Sequence, residues 1–527
     1  MDAARLAEIT DVQQLRDLVI AQVAVIAERD ARLAEGDAHI AQRDRTIVWK
    51  EAKIAKLTAE IARLRRVQFA VRSEKMAPEQ RALFDEAMAA DIAAVEAELE
   101  GAQHGDGDTR PAVAPRARPK RRPLPPELPR IETRHEPESC VCTGCGAALV
   151  HIGEHVSEKL DCEPLRFFVR KDVHPQYACR VCETVIAEPV APSVLDRGIA
   201  APGLLAQVVI AKYVDHLPLY RQEAIFARSG VVIGRNTLAE WCGVVGQRLQ
   251  PLVDALRGEL LAASVLHADE TPVAQLDPGA GKTKRAYLFA YRSADATSPI
   301  VVFDYAGNRS GKHAAAFLDG WRGALMVDDY GGYKALFAAG ITELGCWAHA
   351  RRKFFDLHAA NKSTLAEEAL RRIAALYGVE QMARELDAQA RHAYRQQQAK
   401  PKLAEFKAWL DALRPKVLGA SGTLTAIDYI LRRWAALTRY LDDGRYPIDN
   451  NPIENAIRPI ALGRKNWLFA GSETAGQRAA AIMSLLATAK ANGHEPHAWL
   501  TDVLTRLPTT RDRDIDTLLP HRWRSAD

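Results

Sequence analysis

Cysteine is scarce in this chain: eight in 527 residues are too few to staple a secreted disulfide scaffold of such length. No stretch stays uncharged and apolar over the roughly 20 residues that a membrane-crossing helix needs. The opening, Met1-Asp-Ala-Ala-Arg-Leu-Ala-Glu-Ile-Thr10, has no basic segment leading into an apolar core, the mark of a secretory leader. An excess of one charge is also missing, since a net +4 is small for this length and does not by itself point to nucleic acid. Together these absences predict a cytoplasmic protein. Apolar residues make up 48% of the chain, ample for cores, and the length exceeds what one core usually supports. A multidomain protein is expected.

Residues Val12, Val19, Ile26, Leu33, Ile40, Ile47, Ile54 and Ile61 recur at a strict heptad interval, which on a helix forms one apolar seam. Three residues on, the companion positions Leu15, Gln22, Arg29, Gly36, Arg43, Lys50, Leu57 and Leu64 are apolar only at the ends. Residues 1–100 are therefore read as a weak, interrupted coiled coil for oligomerisation, or as a helix folded back on a second one over Pro78–Leu99. Residues 101–130 turn rich in Gly and Pro and then basic, with Arg116, Arg118, Lys120, Arg121 and Arg122 close together, a composition that cannot build a core and predicts a linker.

Within 131–192, Cys142-x-x-Cys145 and Cys179-x-x-Cys182 offer four thiolates, enough to close a tetrahedral structural Zn²⁺ site. Cys140 and Cys162 are spare. Residues 195–261 read as helices with a Ser229-Gly230 break. That pattern suits a helix-turn-helix unit whose second helix presents Arg235 and Asn236 to DNA, or a plain helical connector.

After Leu261 the pattern becomes strand-like, over Ser264–Val273, Arg285–Arg292 and Pro299–Asp304, then a helix near Lys312–Asp319, and strands ending at Asp328 and Cys346. Residues from Thr364 to Leu441 are helical and look like an insert, and the β-α pattern is expected to resume at Tyr446. Three carboxylates stand out. Asp269 lies in a strand, where Asp is depleted. Asp328 ends the buried run Ala324-Leu-Met-Val327. Glu454 follows Asp449-Asn-Asn-Pro-Ile453, where Asn451 suits an N-cap and Glu454 can close a capping box with it. Taken as a set, the three can instead hold hard divalent cations, Mg²⁺ or Mn²⁺, for in-line phosphoryl transfer. Arg458, one helical turn beyond Glu454, with Arg464 and Lys465 after it, can reach phosphate, as can Arg351, Arg352 and Lys353; a solvated basic surface is the alternative. Trp467 is read as a core residue or a base-stacking one. Cys346 and His349 have metal-like spacing but no second pair nearby, which predicts a helix start.

This arrangement resembles the ribonuclease H-like fold, and the chain is similar to transposases of the insertion sequence 66 family. The matching segments are His267-Ala-Asp-Glu-Thr271, Asp328-Asp-Tyr-Gly-Gly-Tyr333, Cys346-Trp-Ala-His-Ala-Arg-Arg352, Asp449-Asn-Asn-Pro-Ile-Glu454 and Arg464-Lys-Asn-Trp-Leu-Phe-Ala-Gly471, with the Leu518-Leu-Pro-His-Arg-Trp523 tail. The resemblance implies a multidomain α/β protein: a ribonuclease H-like core over 262–490 with a helical insert at about 360–445, preceded by the coiled coil, a zinc-ribbon-like element and the helix-turn-helix-like region, and followed by a tail over 491–527. It implies a DDE transposase with Asp269, Asp328 and Glu454 as the triad, acting on double-stranded element ends and target DNA. A homodimer or larger assembly, small accessory proteins and residence on the bacterial nucleoid go with it. The family usually has Asp-Gly-Tyr where this chain has Asp328-Asp329-Tyr330, so the triad position falls on Asp328, with a register one residue later left open. A DNA-binding regulator of the same fold without catalysis, and a nuclease that cuts without joining strands, are the competing readings.

Overall fold

Alternating apolar and charged residues around the two Cys-x-x-Cys pairs form a sheet of four strands, β1 (Arg130–Arg134), β2 (Val150–Glu163), β3 (Arg166–Ala178) and β4 (Val185–Ala187), with β3 between β1 and β2 and β4 also paired to β3. In this computed structural model the described residues are 43–64 with gaps, 90–99, and 124–524 apart from 127, 137–139, 141–144, 164–165, 196–197, 278–279, 281, 418–420 and 468. The seam from Val12 to Ile40, the linker over 101–123 and Cys142 lie outside them, as does the Pro78 start of the second N-terminal helix. The chain divides into two compact units, residues 1–65 with 95–114, and residues 66–94 with 115–527. In the first, the described positions of 43–64 are helical; of the seam, Ile61 is buried and Ile47 is 50% exposed.

In the second unit, the helices α1 (Pro202–Tyr213), α2 (Leu219–Arg228), α3 (Arg235–Arg248) and α4 (Gln250–Ala262) follow this four-stranded sheet. Helix α1 is apolar on all sides and buried along nearly its whole length, as expected of a helix inside a core. Gly230 takes φ +79° at the end of α2, a conformation that side-chain-bearing residues avoid.

A mixed sheet follows, built from β5 (Val265–Asp277), β6 (Lys282–Ser293), β7 (Val301–Ala306), β8 (Ala324–Val327) and β9 (Thr342–Gly345) in the order β7-β6-β5-β8-β9. The first three strands are antiparallel, and β8 and β9 run parallel to β5. Helices α5 (Gly311–Phe317) and α6 (Lys334–Ala338) connect the later strands, and α7 (Trp347–Asn361) leads out of β9. The expected resumption of strand after Tyr446 is not observed among the described residues. Ile453, Ile457 and Ile460 recur at helical spacing and pack on the sheet as part of α12 (Asn451–Trp467), and α13 (Glu473–Ala491) follows. Ala470 meets the sheet as an isolated parallel bridge to Gln275 of β5.

Both edges of the sheet are covered. The outward backbone N–H groups of Val301 and Phe303 on β7 donate to Thr488 Oγ1 (3.0 Å) and Ser484 Oγ (2.8 Å) of α13, so buried hydroxyls replace a missing strand. On the other side Gly345 of β9 backs directly onto the insert: a Cβ there would lie 3.0 Å from Leu437 N. The insert comprises α8 (Thr364–Met382), α9 (Ala388–Leu413), α10 (Gly422–Arg432) and α11 (Trp434–Thr438) around its own apolar cluster. After α13, α14 (Pro496–Arg506) closes the C-terminal end, with Trp499 fully buried and its indole N–H donating to the Leu518 carbonyl at 3.2 Å. No helix among the described residues is long and apolar enough to cross a membrane.

Arg395 is the charged residue most deeply set in the insert, 2% exposed. It forks onto Glu380 at 2.8 and 2.6 Å and donates to the Tyr440 and Asp443 carbonyls. Replacing it by Ala leaves Glu380 half-sheltered without its partner, so Arg395→Ala should lower stability by about 3–5 kcal/mol. Urea unfolding followed through the Trp434 and Trp409 fluorescence checks this, and an unchanged midpoint would refute it.

Candidate active site

Strand register brings the first two carboxylates together. β5 and β8 pair in parallel up to His267↔Met326, so two residues further Asp269 comes level with Asp328, which directly follows β8. Burial raises the Asp269 pKa to about 7, and the charges of Glu270, Asp328 and Glu454 push in the same direction. Three like charges thus act on one half-buried carboxyl. Asp328 Oδ1 accepts from the Tyr330 N–H at 2.8 Å. Its neighbour Asp329 turns the other way, pairing with Arg433 at 2.6 Å and Arg432 at 3.0 Å of the insert.

Glu454 is delivered by the start of α12, and the expected capping box with Asn451 does not form. Asn450, fully buried, is the residue before the helix, and its carbonyl accepts from Ile453 and Glu454 at 3.2 Å each. Its side chain is engaged elsewhere: Oδ1 faces His267 Nδ1 at 2.9 Å and Nδ2 donates to the Ala268 carbonyl at 2.9 Å. Burial holds the His267 pKa down at about 4, so the ring is neutral and its Nδ1–H is the donor. Asn451 instead donates its side-chain amide to Asp449 at 2.8 Å, while Tyr377 O–H donates to the same carboxyl oxygen at 2.8 Å. Glu454 is thereby free to face α7, where Oε1 lies 3.5 Å from His349 Nδ1 and Oε2 lies 3.4 Å from Arg352.

Two polar atoms here are buried without a hydrogen-bond partner among the described residues, Glu454 Oε1 and His349 Nδ1. They face each other beside the crowded carboxyls. Two orphaned lone-pair donors next to mutually repelling carboxylates fit a divalent cation, which would satisfy the first and neutralise the second. The sulfur of Cys346 lies within 4.8 Å of both ligand atoms, yet it already accepts from the Asn450 N–H at 3.2 Å and burial pushes its thiol pKa up to about 12. It acts as a hydrogen-bond acceptor for the loop. Glu270 is also held away from the cluster, paired with Arg309 and accepting from Tyr333 O–H at 3.0 Å.

A second cluster joins Cys145, Cys179 and Cys182. Cys145 Sγ lies 3.4 Å from Cys179 Sγ and 3.6 Å from Cys182 Sγ. A tetrahedron with Zn–S bonds of about 2.3 Å has edges near 3.8 Å, so the three thiols are spaced as zinc ligands. The Val181 N–H points at Cys179 Sγ at 3.4 Å, as in a knuckle that shields thiolate charge. Cys162 is separate, buried beside the Gly203 carbonyl with its pKa pushed up to about 12.

The remaining sequence-predicted residues are scattered. Arg235 opens α3 half-buried, with Asn236 exposed beside it. Arg351, Arg352 and Lys353 are exposed on α7, but only Arg352 meets a carboxylate of the cluster; Arg351 lies over the Phe355 ring and Lys353 over Tyr429. Arg458 and Lys465 are exposed on α12, and Arg464 donates to the Pro272 carbonyl. The Trp467 side chain lies outside the described residues. Sequence reading missed Asn450, His267 and the Glu270–Arg309 pair, and it left Cys346 and His349 without a third partner because Glu454, which faces His349, lies far along the chain.

The family model described as "Transposase IS66 family" matches residues 197–478. Three further ones match other segments: "zinc-finger binding domain of transposase IS66" over 139–183, "IS66 C-terminal element" over 484–521 and "Transposase C of IS166 homeodomain" over 56–133. The uncharacterized protein y4qI of Sinorhizobium fredii is 37% identical across 98% of this chain and 97% of its own length. The uncharacterized protein y4jD of the same organism is 36% identical across 76% of this chain and 82% of its own.

Because the folded Asp269 pKa of about 7 lies above the roughly 3.9 of an unfolded Asp, its stabilising neutral form is complete below the lower value and lost as pH rises through the upper one. In chelator, Asp269→Asn should therefore match wild type near pH 4 and melt progressively higher than it up to pH 8, by on the order of a few kcal/mol. Thermal unfolding across that range measures it, and a gap that does not change with pH would refute it.

Proposed function

Because this chain belongs to the IS66 family of transposases, we propose that it binds the ends of an insertion element, cleaves them, and joins the freed 3′-hydroxyls to target DNA. The observation that carries this reading is the meeting of Asp269, Asp328 and Glu454 from two strands and a helix, with both other carboxylates raising the Asp269 pKa. The strand order β7-β6-β5-β8-β9 and the helical insert before α12 favour a ribonuclease H-like core for it. Bound divalent cations would supply activation of the attacking oxygen and stabilisation of the leaving one.

The chain's own residues set up that chemistry. Asp269, Asp328 and Glu454 are the cation-holding carboxylates. Asp328 is favoured over Asp329 for the second position because Asp329 is already bound to Arg432 and Arg433. Arg352, whose side chain is 57% exposed, reaches past Glu454 to solvent and can receive a phosphate once a cation relieves it of that pairing. Asn450 holds the helix start against β5, fixing the distance between Glu454 and Asp269. Arg351, Lys353, Arg458, Arg464 and Lys465 contribute backbone contacts, and Arg235 and Asn236 at the start of α3 supply contacts to the element end.

Zn²⁺ in the zinc-finger region is assigned to Cys142, Cys145, Cys179 and Cys182, with a structural role. The two-ended reaction calls for a dimer or larger assembly, with accessory proteins as further partners, working on DNA in the bacterial cytoplasm.

In a Mg²⁺-dependent cleavage and strand-transfer assay on the DNA flanking the gene, Asp328→Ala and Asp269→Ala should lose activity by roughly a thousandfold or more. Asp329→Ala should retain chemistry and lose only stability at the insert. Equal losses for Asp328→Ala and Asp329→Ala would sink the triad, and hydrolysis without joined products would favour a nuclease. For the second metal, Cys179→Ser should abolish the zinc content of the purified protein and unfold 140–187, read by elemental analysis and limited proteolysis; full zinc retention would overturn the ligand set.

A further inference from the structure

The β5–β6 hairpin runs on past the carboxylates. β8 pairs with β5 only as far as His267, and β7 pairs with β6 only over Tyr287–Arg292, whereas β5 and β6 stay paired out to Asp277↔Lys282. The far end therefore projects beyond both neighbours, with Lys282–Arg285 exposed. The segment around α12 docks against it: Ala470 exchanges backbone hydrogen bonds with Ala274 and Leu276 at 2.8 Å each, and the Arg464 guanidinium donates to the Pro272 carbonyl. Between hairpin and helix end lies an open groove whose walls carry Lys284, Arg285, Arg464 and Lys465 beside Pro272 and Ala274. No acidic residue lines it among the described residues.

Each cation has a local explanation on its own. Lysine blunts projecting strands, and Arg464 and Lys465 suit the last turn of a helix. Neither explains why elements nearly two hundred residues apart, 192 between Arg464 and Pro272, bring four like charges into one concavity with no counter-charge. Such a concavity raises the local concentration of anions. Its place along the strand says which anion. Pro272 is three residues beyond Asp269, about 10 Å at the rise of a strand, and about 10 Å of duplex axis spans roughly three phosphates of one strand. A backbone leaving the carboxylate cluster along β5 would meet the groove at that distance.

We propose that this groove holds the sugar-phosphate backbone of duplex DNA roughly three nucleotides from the bond that is cut, through contacts that carry no sequence information. The inference rests on the transposase reading and adds a site to it. Lys284 and Arg285 are the residues to test, because both are exposed and neither holds the fold, whereas Arg464 also supports Pro272.

The experiment measures binding of the full chain to flanking-element duplex and to unrelated duplex between 50 and 200 mM salt, in Ca²⁺ to prevent cleavage. Two lost phosphate contacts should reduce the salt slope by about 1.8. Over that fourfold change in salt, wild type should lose about twelvefold more affinity than the Lys284→Gln, Arg285→Gln protein, equally on both duplexes. The swapped Lys284→Arg, Arg285→Lys protein should keep the wild-type slope. A wild-type slope in the Gln variant would overturn the groove, as would a loss confined to the element sequence or one that the charge-preserving swap shares. An intact wild-type cleavage assay with any of those results removes the groove and leaves the transposase reading standing; a wild-type protein that binds no duplex removes both.

Discussion

The buried amide of Asn450 is the joint on which the site depends. One side chain and its backbone satisfy a histidine and a carbonyl of β5, take the sulfur at the head of α7 as acceptor, and accept the Ile453 and Glu454 N–H groups of α12. Three elements are thus tied together at one residue. Each bond is worth only about 1 kcal/mol net, but a broken one strands a buried polar group at a cost of about 1–3 kcal/mol. The joint therefore acts more as a constraint on geometry than as a source of stability. It sets where Glu454 stands relative to Asp269.

What the joint assembles is unfavourable by itself. Asp269, Glu270, Asp328 and Glu454 crowd one rim of the sheet, and burial raises the pKa of both Asp269 and Glu270. The surrounding residues relieve part of that strain selectively. Arg309 and Tyr333 take Glu270, and Arg432 and Arg433 take Asp329. Relief is incomplete at Asp269, and Glu454 keeps one oxygen without a partner. Under the proposed function, that stored like charge is what divalent cations, and through them a polyanion, would neutralise. The helical insert takes part directly, since the arginines that draw off Asp329 come from the junction of its last two helices.

The same economy covers the sheet edges. Ser484 and Thr488 stand in for a strand along β7, and Ala436–Leu437 press against Gly345 of β9. Between these closed edges, the only long strand pair left to project is β5–β6. Its free end carries exposed cations, and α12 turns them into one wall of a groove. Asp269 and the Pro272–Ala274 wall of the groove lie on the same strand, so the spacing between them is fixed by the rise of β5 and not by any loop.

Much of this was legible in the residues. Strands ending at Asp328 and Cys346, each one residue beyond the observed end, the helices from Pro202 to Leu261, the two Cys-x-x-Cys pairs and the three carboxylates follow from alternation, helical spacing and turn chemistry, all of which act within a few residues. The bridge of Ala470 to β5 and the absence of strand after Tyr446 were not, because Ile453, Ile457 and Ile460 suit a helix only once a sheet exists for them to cover. Glu454 shows the division most clearly. By itself the sequence determined that a carboxylate would stand in the first turn of a helix, a position that a capping box explains equally well. Tertiary structure decided that Asn450 and Asn451 are occupied elsewhere, that His349 and Arg352 lie opposite, and that Asp328 and not Asp329 faces Asp269. Apart from the bond of Asn451 to its neighbour Asp449, those outcomes depend on contacts between residues far apart in the chain, where chain spacing carries no information and only packing and charge select the partner.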